Sequence, residues 1–506
     1  MHRVLPPTRA APLFGAAQTR LIEERAMAVL PPHTLMHRAG SAVAHLALAI
    51  APHARRIWVA AGPGNNGGDG LDAAIALQAW GKQVEVTLVA ASSSPPADAS
   101  DALARAQAAG VRITAANPPG MLEAHDIAID ALLGIGAARA PDGGVAMLIG
   151  HLNALACPVL AVDLPSGLNA RNGQALGDAC VRATHTLSLL TLKPGLFTGS
   201  GRDFAGELWF DALGLSSAAD VPDAWLAAGA DTADATQRRH AQHKGSFGDV
   251  AVVGGDQGMV GAALLAARAA HAAGAGRTYV SLLADGPPAA SHDPFRPELM
   301  FRPAWWSGPP AVLARTTVVC GCGGGQAVRA ALPRLLSLAA RLVLDADALN
   351  AIAADAALQT LLRARLGRQL PTVLTPHPLE AARLLECTTQ EVQNDRLSAA
   401  QTLADRLCSV VVLKGSGSVI AAPGQAPHIN ATGNAALASA GTGDVLAGWL
   451  GGRWAQAPSG DALQVAFTTA LQAVAAHGAA AEPMHPGALR AADLVERLHR
   501  KLQGEN

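Results

Sequence analysis

Short runs of β-branched and aliphatic residues alternate with long alanine-rich stretches along nearly the whole chain. No other feature constrains the fold as strongly. Strands separated by helix-length segments pair in parallel, and a parallel sheet needs helices on both faces. In the first half, residues 56–61, 84–89, 126–133, 158–164 and 185–191 read as strands. Near-continuous runs such as Val84-Glu85-Val86-Thr87-Leu88-Val89 suit strands covered on both sides. A helical pattern over 18–49 is interrupted at Pro31-Pro32 and resumes through 35–50. From Gly214 to Gln242 the pattern dissolves into Ser, Ala, Asp, Pro and Thr without strand alternation, which predicts a linker at 216–238. A second series follows, with strands expected at 249–253, 277–283, 316–320, 341–344, 372–374, 410–413 and 418–421, and closing helices at 462–477 and 491–502. The expectation is an α/β protein of two domains, 1–215 and 239–506, without a solenoid repeat.

Composition removes several function classes. Half of the 506 residues are apolar and 15% are charged, which excludes a disordered chain. The net charge of −1 lacks the basic footprint of a nucleic-acid binder. The six cysteines lie at 157, 180, 320, 322, 387 and 408. Only Cys320 and Cys322 are close, and one C-x-C without a second pair makes no structural zinc site, so small thiols in a reducing cytoplasm are expected. Residues 1–20 hold no apolar stretch of signal-peptide length, and no apolar run reaches the ~18 residues of a membrane span. The expected setting is soluble and cytoplasmic, with no membrane partner.

The run Ile57-Trp58-Val59-Ala60-Ala61 leads into Gly62-Pro63-Gly64-Asn65-Asn66-Gly67-Gly68-Asp69-Gly70 and then a helical pattern. Gly62, Gly64 and Gly67 satisfy G-x-G-x-x-G in strand–turn–helix context. Asn65, Asn66 and Asp69, however, put two amides and a carboxylate inside the loop. A loop that cradles only phosphate avoids a carboxylate, whereas a site for a cation or a polar ring accepts one. An ordinary NAD dehydrogenase is therefore disfavoured. Asp130 and Asp163 each end an apolar run, the latter before Leu164-Pro165-Ser166-Gly167. Carboxyl ends of parallel strands form the ligand crevice, so loops carrying Asn66, Asp130, Asp163 and Ser166 can converge. This oxygen-only set suits a hard cation and an acid–base carboxylate.

The second half carries Lys244-Gly245-Ser246-Phe247-Gly248-Asp249, Leu344-Asp345-Ala346-Asp347, Thr375-Pro376-His377-Pro378, Lys414-Gly415-Ser416-Gly417-Ser418 and Ala440-Gly441-Thr442-Gly443-Asp444. No Walker loop occurs. Gly441 to Asp444 before an apolar helix offers backbone N–H groups to an anion and a carboxylate to take a proton, as phosphoryl transfer requires. Lys414 to Ser418 suits a nucleotide. His377, between two prolines, is either a substrate contact or a structural histidine.

Taken together, these motifs resemble the bifunctional NAD(P)H-hydrate repair enzymes over nearly the whole chain. Residues 16–214 are similar to the Rossmann-like epimerase domain, a three-layer sandwich marked by Asn65-Asn66-Gly67-Gly68-Asp69-Gly70, with Asp163 to Gly167 and Lys193-Pro194-Gly195. Residues 243–494 are similar to the ribokinase-like, ADP-dependent dehydratase domain, with Gly261-Ala262-Ala263 after its first strand. The resemblance implies repair of hydrated NADH and NADPH, by interconversion of R and S hydrates and dehydration of the S form with ADP. It implies that Asn65, Asn66, Gly67, Gly68, Asp69, Gly134, Gly136 and Asp163 hold the hydrate in the first site. Asn66, Asp130 and Ser166 would bind potassium. In the second site Ala262, Gly323, His377 and Asp444 would contact hydrate, and Lys414, Gly415, Ser416, Gly417, Ser418 and Gly443 the nucleotide, which brings magnesium. Asp163 and Asp444 would be the catalytic groups, and relatives imply a homo-oligomer, tetramer or larger.

The chain departs from the family pattern locally. Ile135 stands where a threonine is usual, Asn169 replaces an aspartate and Leu379 a glycine. Cys320-Gly321-Cys322-Gly323-Gly324-Gly325 replaces Gly-Pro-Gly-Leu-Gly, predicting a floppier, oxidisable loop. The rival enzymatic reading is a ribokinase-like small-molecule kinase fused to a nucleotide-binding domain. A rival of another class is a non-enzymatic scaffold of RNA decapping, disfavoured by Asn66, Asp163 and the near-neutral charge.

Overall fold

The computed structural model describes residues 1–90, 94–115, 118–120, 122–229, 238–284, 291–482 and 487–504. Two compact units emerge, Met1–Leu5 with Pro12–Ala224, and Pro6–Ala11 with Trp225–Asn506.

In the first unit the sheet runs in the order His2–Arg3, Glu207–Asp211, His185–Leu189, Val159–Val162, Ile127–Ala131, Arg56–Ala61, Gln83–Leu88, Arg112–Ala115. All pairs are parallel except His2–Arg3 with Glu207–Asp211. Side-chain alternation divides the strand Arg56–Ala61 between two cores. Ile57, Val59 and Ala61 join one, beneath the helices Thr34–Ile50 and Asn65–Ala79, while Trp58 and Ala60 join the other, with Leu148, Ile149 and Leu152 of the helix Gly143–Asn153. The result is three layers. Arg56–Ala61 pairs with Gln83–Leu88 on one side and Ile127–Ala131 on the other, so the chain reverses its direction of growth there. The carboxyl ends of these strands therefore open a crevice at a topological switch point.

The second unit orders its strands Met300–Phe301, Arg277–Leu282, Asp249–Gly254, Thr316–Cys320, Arg341–Leu344, Thr372–Leu374, Val410–Leu413, Val419–Ala422, Gln425–Ile429. Pairing is parallel as far as Val410–Leu413 and then antiparallel. Its switch point lies between Asp249–Gly254 and Thr316–Cys320. Helix Thr442–Ala455 packs on Val260–Ala272 at backbone range. A Cβ on Gly448 would lie 2.0 Å from the Ala266 carbonyl oxygen, and one on Gly452 2.3 Å from that of Ala270. Small residues, abundant in this chain, permit that approach.

The α/β class and parallel sheets agree with the sequence reading, and the central strands fall where the apolar runs lie. Three strands of four or five residues were not anticipated, Arg112–Ala115, Glu207–Asp211 and Gln425–Ile429, beside shorter ones such as His2–Arg3 and Met300–Phe301. They are edge or near-edge strands with few fully buried side chains, so the apolar signal is weak. The expected linker also needs correction. Its residues Ala224–Leu226 form a strand, with Trp225 and Leu226 parallel to His428 and Ile429, too short to show alternation. Residues 230–237 of that linker lie outside the described residues.

Candidate active sites

The crevice of the first unit holds a cavity of about 550 Å³ lined by Gly64, Asn65, Asn66, Asp69, Gly134, Gly136, Asp163 and Lys193, with Arg20 and Glu23 from the helix Ala16–Met27. The helix begins at Asn65, so the two asparagines and Asp69 occupy its first turns and not a loop, contrary to the sequence expectation. Gly62 and Gly64 complete the turn alone. Asn66 and Asp69, three residues apart, then share a helix face turned to the cavity. The glycines between them serve packing. A Cβ on Gly67 would lie 1.8 Å from the Gly62 oxygen, and one on Gly68 2.5 Å from Met36 Cε.

Asp163 follows the strand Val159–Val162 with a left-handed φ of 66°. Such a conformation is costly without a glycine, and several bonds hold it. Asp163 Oδ1 accepts the Leu189 N–H at 3.1 Å and an ion pair from Lys193 Nζ. Lys193, 1% exposed, donates also to the Leu189 oxygen at 2.7 Å. Burial lowers the Lys193 pKa, against the opposing pull of Asp163. Asp69 is driven the other way: burial first, then the nearby Asp163 and Glu23 charges, raise its pKa well above the carboxylate range. The Glu23 pKa is raised for the same kind of reason, burial first and then Asp163.

Asp130 and Ser166 meet beneath the cavity, and both are fully buried. Asp130 accepts the Ser166 hydroxyl at 2.6 Å and its N–H at 2.8 Å, while Ser166 Oγ accepts the Leu133 N–H at 2.8 Å. Burial raises the Asp130 pKa to about 6, although the Ser166 bonds pull it down. Asn66 lies against the next turn, since a Cβ on Gly134 would sit 3.2 Å from Asn66 Cβ. Its side-chain Nδ2 is buried without a hydrogen-bond partner.

In the second unit the loops from both switch-point strands meet. A Cβ on Gly323 would lie 3.0 Å from that of Ala262, so these two predicted contacts are neighbours. The expectation of a floppy Cys320–Gly325 loop is overturned. Gly321 N–H donates to the Val253 oxygen at 3.0 Å, Gly255 N–H to that of Cys322 at 2.9 Å, and Gly325 N–H to Asp347 Oδ2 at 2.9 Å. Both cysteines are fully buried, and burial pushes the Cys320 thiol up to about 12. The extra glycines are needed, because Gly321, Gly323 and Gly325 have positive φ and close neighbours.

Asp444 lies in the first turn of its helix, behind Gly441 at φ 86°. Its carboxylate, that of Asp345 and the Cys322 sulfur lie within 4.8 Å of one another. Burial raises the Asp444 pKa to about 6, with Asp345 adding and Cys322 and Lys414 opposing. Lys414 Nζ donates to Asp345 Oδ1 at 2.6 Å and lies 3.3 Å from where a Cβ on Gly443 would be. Burial disfavours the Lys414 charge, but Asp345 and Glu380 hold its pKa above the ordinary value. Behind it the buried Arg396 donates to the Leu413 and Lys414 oxygens, each at 3.2 Å, and occupies the space beside Gly415. Ser418 Oγ closes this turn on the Gly415 oxygen at 3.2 Å, and Gly417 has φ 61°. Ser416 lies within the same turn, between them. His377 caps the helix Pro378–Leu385. Its Nδ1 accepts the Leu379 and Glu380 N–H groups at 3.1 and 3.4 Å, and its Nε2 lies 3.1 Å from Glu380. These bonds give His377 a structural part, while its side chain stays 45% exposed.

Lys193, Glu23, Asp345 and Arg396 carried no assigned role in the sequence. Lys193 sat in a noticed Lys-Pro-Gly turn and Asp345 in a noticed strand-end acid; Glu23 and Arg396 gave no signal.

A family model described as NAD(P)H-hydrate dehydratase matches residues 250–503, and one described as YjeF-related protein N-terminus matches residues 32–195. Over 466 residues the chain is 39% identical to the bifunctional NAD(P)H-hydrate repair enzyme Nnr of Escherichia coli (strain K12), spanning 89% of this chain and 85% of that one. The chain belongs to the bifunctional NAD(P)H-hydrate repair enzymes. A second repair enzyme, from Leishmania braziliensis, is 37% identical over 507 residues, 92% of this chain and 88% of its own. Among solved structures, an ADP/ATP-dependent NAD(P)H-hydrate dehydratase from Bacillus subtilis, co-crystallised with ATP and Mg2+, is 30% identical with a TM-score of 0.43, covering 53% of this chain and 93% of that one. The family read from the motifs is thus the family found, and repair is favoured over the fused-kinase alternative. No helix among the described residues is long and apolar enough to cross a membrane.

Proposed function

We propose that this chain repairs NADH and NADPH hydrates: the first unit interconverts the R and S epimers, and the second dehydrates the S form while ADP becomes AMP and phosphate. The observation that carries this reading is the presence, at the switch points of two sheets in one chain, of both sets of family residues around Asp163 and Asp444.

Inverting the carbon that bears the hydroxyl requires a base for its proton and an acid to return one. Asp163, paired with the buried Lys193, is placed for the first task. Asp69, whose pKa is raised chiefly by burial, is suited to the second. Potassium would be held by Asn66, Asp130 and Ser166. The residues fit: Asp130 is buried among neutral donors, and the buried Asn66 amide lacks a partner at one end, which a half-turn would convert into an oxygen facing the ion. When bound, that ion supplies the positive charge that the buried carboxylate otherwise lacks.

In the second unit Lys414 to Ser418 and Gly443 take the nucleotide, and Ala262, Gly323, His377 and Asp444 face the hydrate. Asp444 removes the proton of the substrate hydroxyl as that oxygen accepts a phosphoryl group, and the N–H groups at the helix start receive the phosphoryl charge. The phosphate ester then leaves with the electron pair of its C–O bond, pushed by the ring nitrogen, and the iminium so formed gives up a proton from the adjacent ring carbon to the departing phosphate, which restores the ring double bond. Asp345 holds Lys414 beside Gly443 for this task. Magnesium would be held chiefly by the nucleotide phosphates, because Asp345 is committed to Lys414, Asp444 to the substrate proton, and the neutral Cys322 thiol does not suit it.

The same reading makes the protein a cytoplasmic homo-oligomer, tetramer or larger, acting on small molecules and neither nucleic acid nor membrane. The test is chromatographic. Pure R-hydrate incubated with protein and no nucleotide should yield S-hydrate, whereas unchanged R-hydrate would remove the epimerase assignment.

A further inference from the structure

Two observations about the first cavity remain unused. The side chain of Ile135 is apolar, so the Gly134-Ile135-Gly136 turn offers no side-chain donor to an anion. Against that turn stands Arg20: a Cβ on Gly136 would lie 3.1 Å from Arg20 Nη2. We propose that Arg20 is the anchor for the diphosphate of the substrate, clamping it against the Gly134–Gly136 turn.

Charge distribution makes the assignment directional. Cavity-lining residues include four acids, Glu23, Asp69, Asp98 and Asp163, and two cations, Arg20 and Lys193. Lys193 is buried and committed to Asp163, and Asp98 is bonded to His33 at 2.6 Å. A dianionic diphosphate placed beside Asp163 would meet a carboxylate whose one neighbouring cation, Lys193, is already paired with it. Among the described residues Arg20 has no ion pair within 4 Å, and it is the exposed cation of the lining. A guanidinium matches two phosphate oxygens at once, which no isoleucine could do. Its helix is also fixed in place. Thr19 Oγ1 and Thr191 Oγ1 are 2.8 Å apart, and the Gly15 N–H donates to Asp223 Oδ2 at 2.7 Å. Arg20 therefore holds the diphosphate at one end of the cavity while the hydrated ring lies at the other, toward Asp163 and Asp69.

This inference rests on the epimerase reading, and the experiment separates the two. Steady-state epimerisation of R-NADHX and R-NADPHX is measured on the full chain, as wild type, Arg20→Gln and Arg20→Lys, with ADP-dependent dehydration of S-hydrate as the check on folding. A wild type that epimerises neither substrate removes the reading itself before any variant is compared. Otherwise Arg20→Gln should raise KM about tenfold for both substrates with kcat unchanged, as expected for loss of a charged hydrogen bond. Arg20→Lys should lie between. Added salt should raise the wild-type KM more steeply than that of Arg20→Gln. An unchanged KM would overturn the proposal. So would an effect on R-NADPHX alone, which would move the guanidinium to the 2′-phosphate, or a fall in kcat at constant KM.

Discussion

Replacing Asp345 by Asn should shift the pH profile of the dehydratase in a direction fixed by the structure. In the proposed role of base Asp444 must be ionised, and its carboxyl is held up to about 6, by burial first and Asp345 next. At pH 7 about nine-tenths of it is then competent and at pH 5 about one-tenth, so kcat/KM should fall about tenfold between these values. Carboxylate oxygens of Asp345 and Asp444 lie within 4.8 Å of each other. Two unit charges at that separation repel by about 3.5 kcal/mol at an effective dielectric near 20, equivalent to roughly 2.5 pH units. The substitution removes this repulsion. It also strips Lys414 of its partner at 2.6 Å, and the freed ammonium stabilises the Asp444 anion further. Solvent entering the site will screen part of both effects, so the acid limb should move down by at least about one unit. The assay is the rate of ADP-dependent recovery of reduced-nicotinamide absorbance from S-hydrate between pH 4.5 and 8, with epimerisation by the same preparation as the folding control. Lys414→Met should send the limb upward, because Lys414 lowers the Asp444 pKa. An Asp345→Asn limb that stays near 6 or rises would refute the electrostatic account of Asp444.

Other outcomes follow from single contacts. Lys193→Met should reduce epimerisation by at least about a hundredfold, the scale of losing an acid–base group's support, while S-hydrate dehydration persists; equal loss of both activities would point to misfolding. Gly67→Ala forces a methyl to 1.8 Å from the Gly62 oxygen and should destabilise the first unit by about 3 kcal/mol or more, read as a lowered denaturant midpoint for that unit. A thiol reagent should label Cys387 and Cys408 in the native protein and Cys157, Cys180, Cys320 and Cys322 only after denaturation, as their burial dictates. Labelling of Cys322 without unfolding would show that the Cys320–Gly325 loop opens.

The residues that could be read in the sequence are those whose role is local. Asp130 and Asp163 end apolar runs, and Gly441 precedes an apolar helix, so composition and position suffice to place them at the carboxyl ends of buried strands. What escaped depends on pairing across the chain. Lys193 acquires its meaning only when it meets Asp163, 30 residues earlier, and Asp345 only when it meets Lys414, 69 residues on. Glu23 enters because its helix lies over the crevice, a tertiary fact with no pattern of its own. The loop assigned to Asn65–Asp69 was misread because glycines there signal flexibility by propensity, whereas they answer a need for close packing inside a helix. The same confusion made the Cys320–Gly325 segment look loose. Its glycines allow positive φ in a loop pinned by backbone hydrogen bonds.

The central claim is that one chain carries two complementary repair sites. It is tested most directly by following reduced-nicotinamide absorbance from an R and S hydrate mixture in potassium buffer, with ADP, with ATP or with neither, for wild type, Asp163→Asn and Asp444→Asn. The account predicts full ADP-dependent recovery by wild type, recovery of the S fraction alone by Asp163→Asn, and none by Asp444→Asn. Full recovery by Asp163→Asn, or no recovery by wild type with either nucleotide, would contradict it.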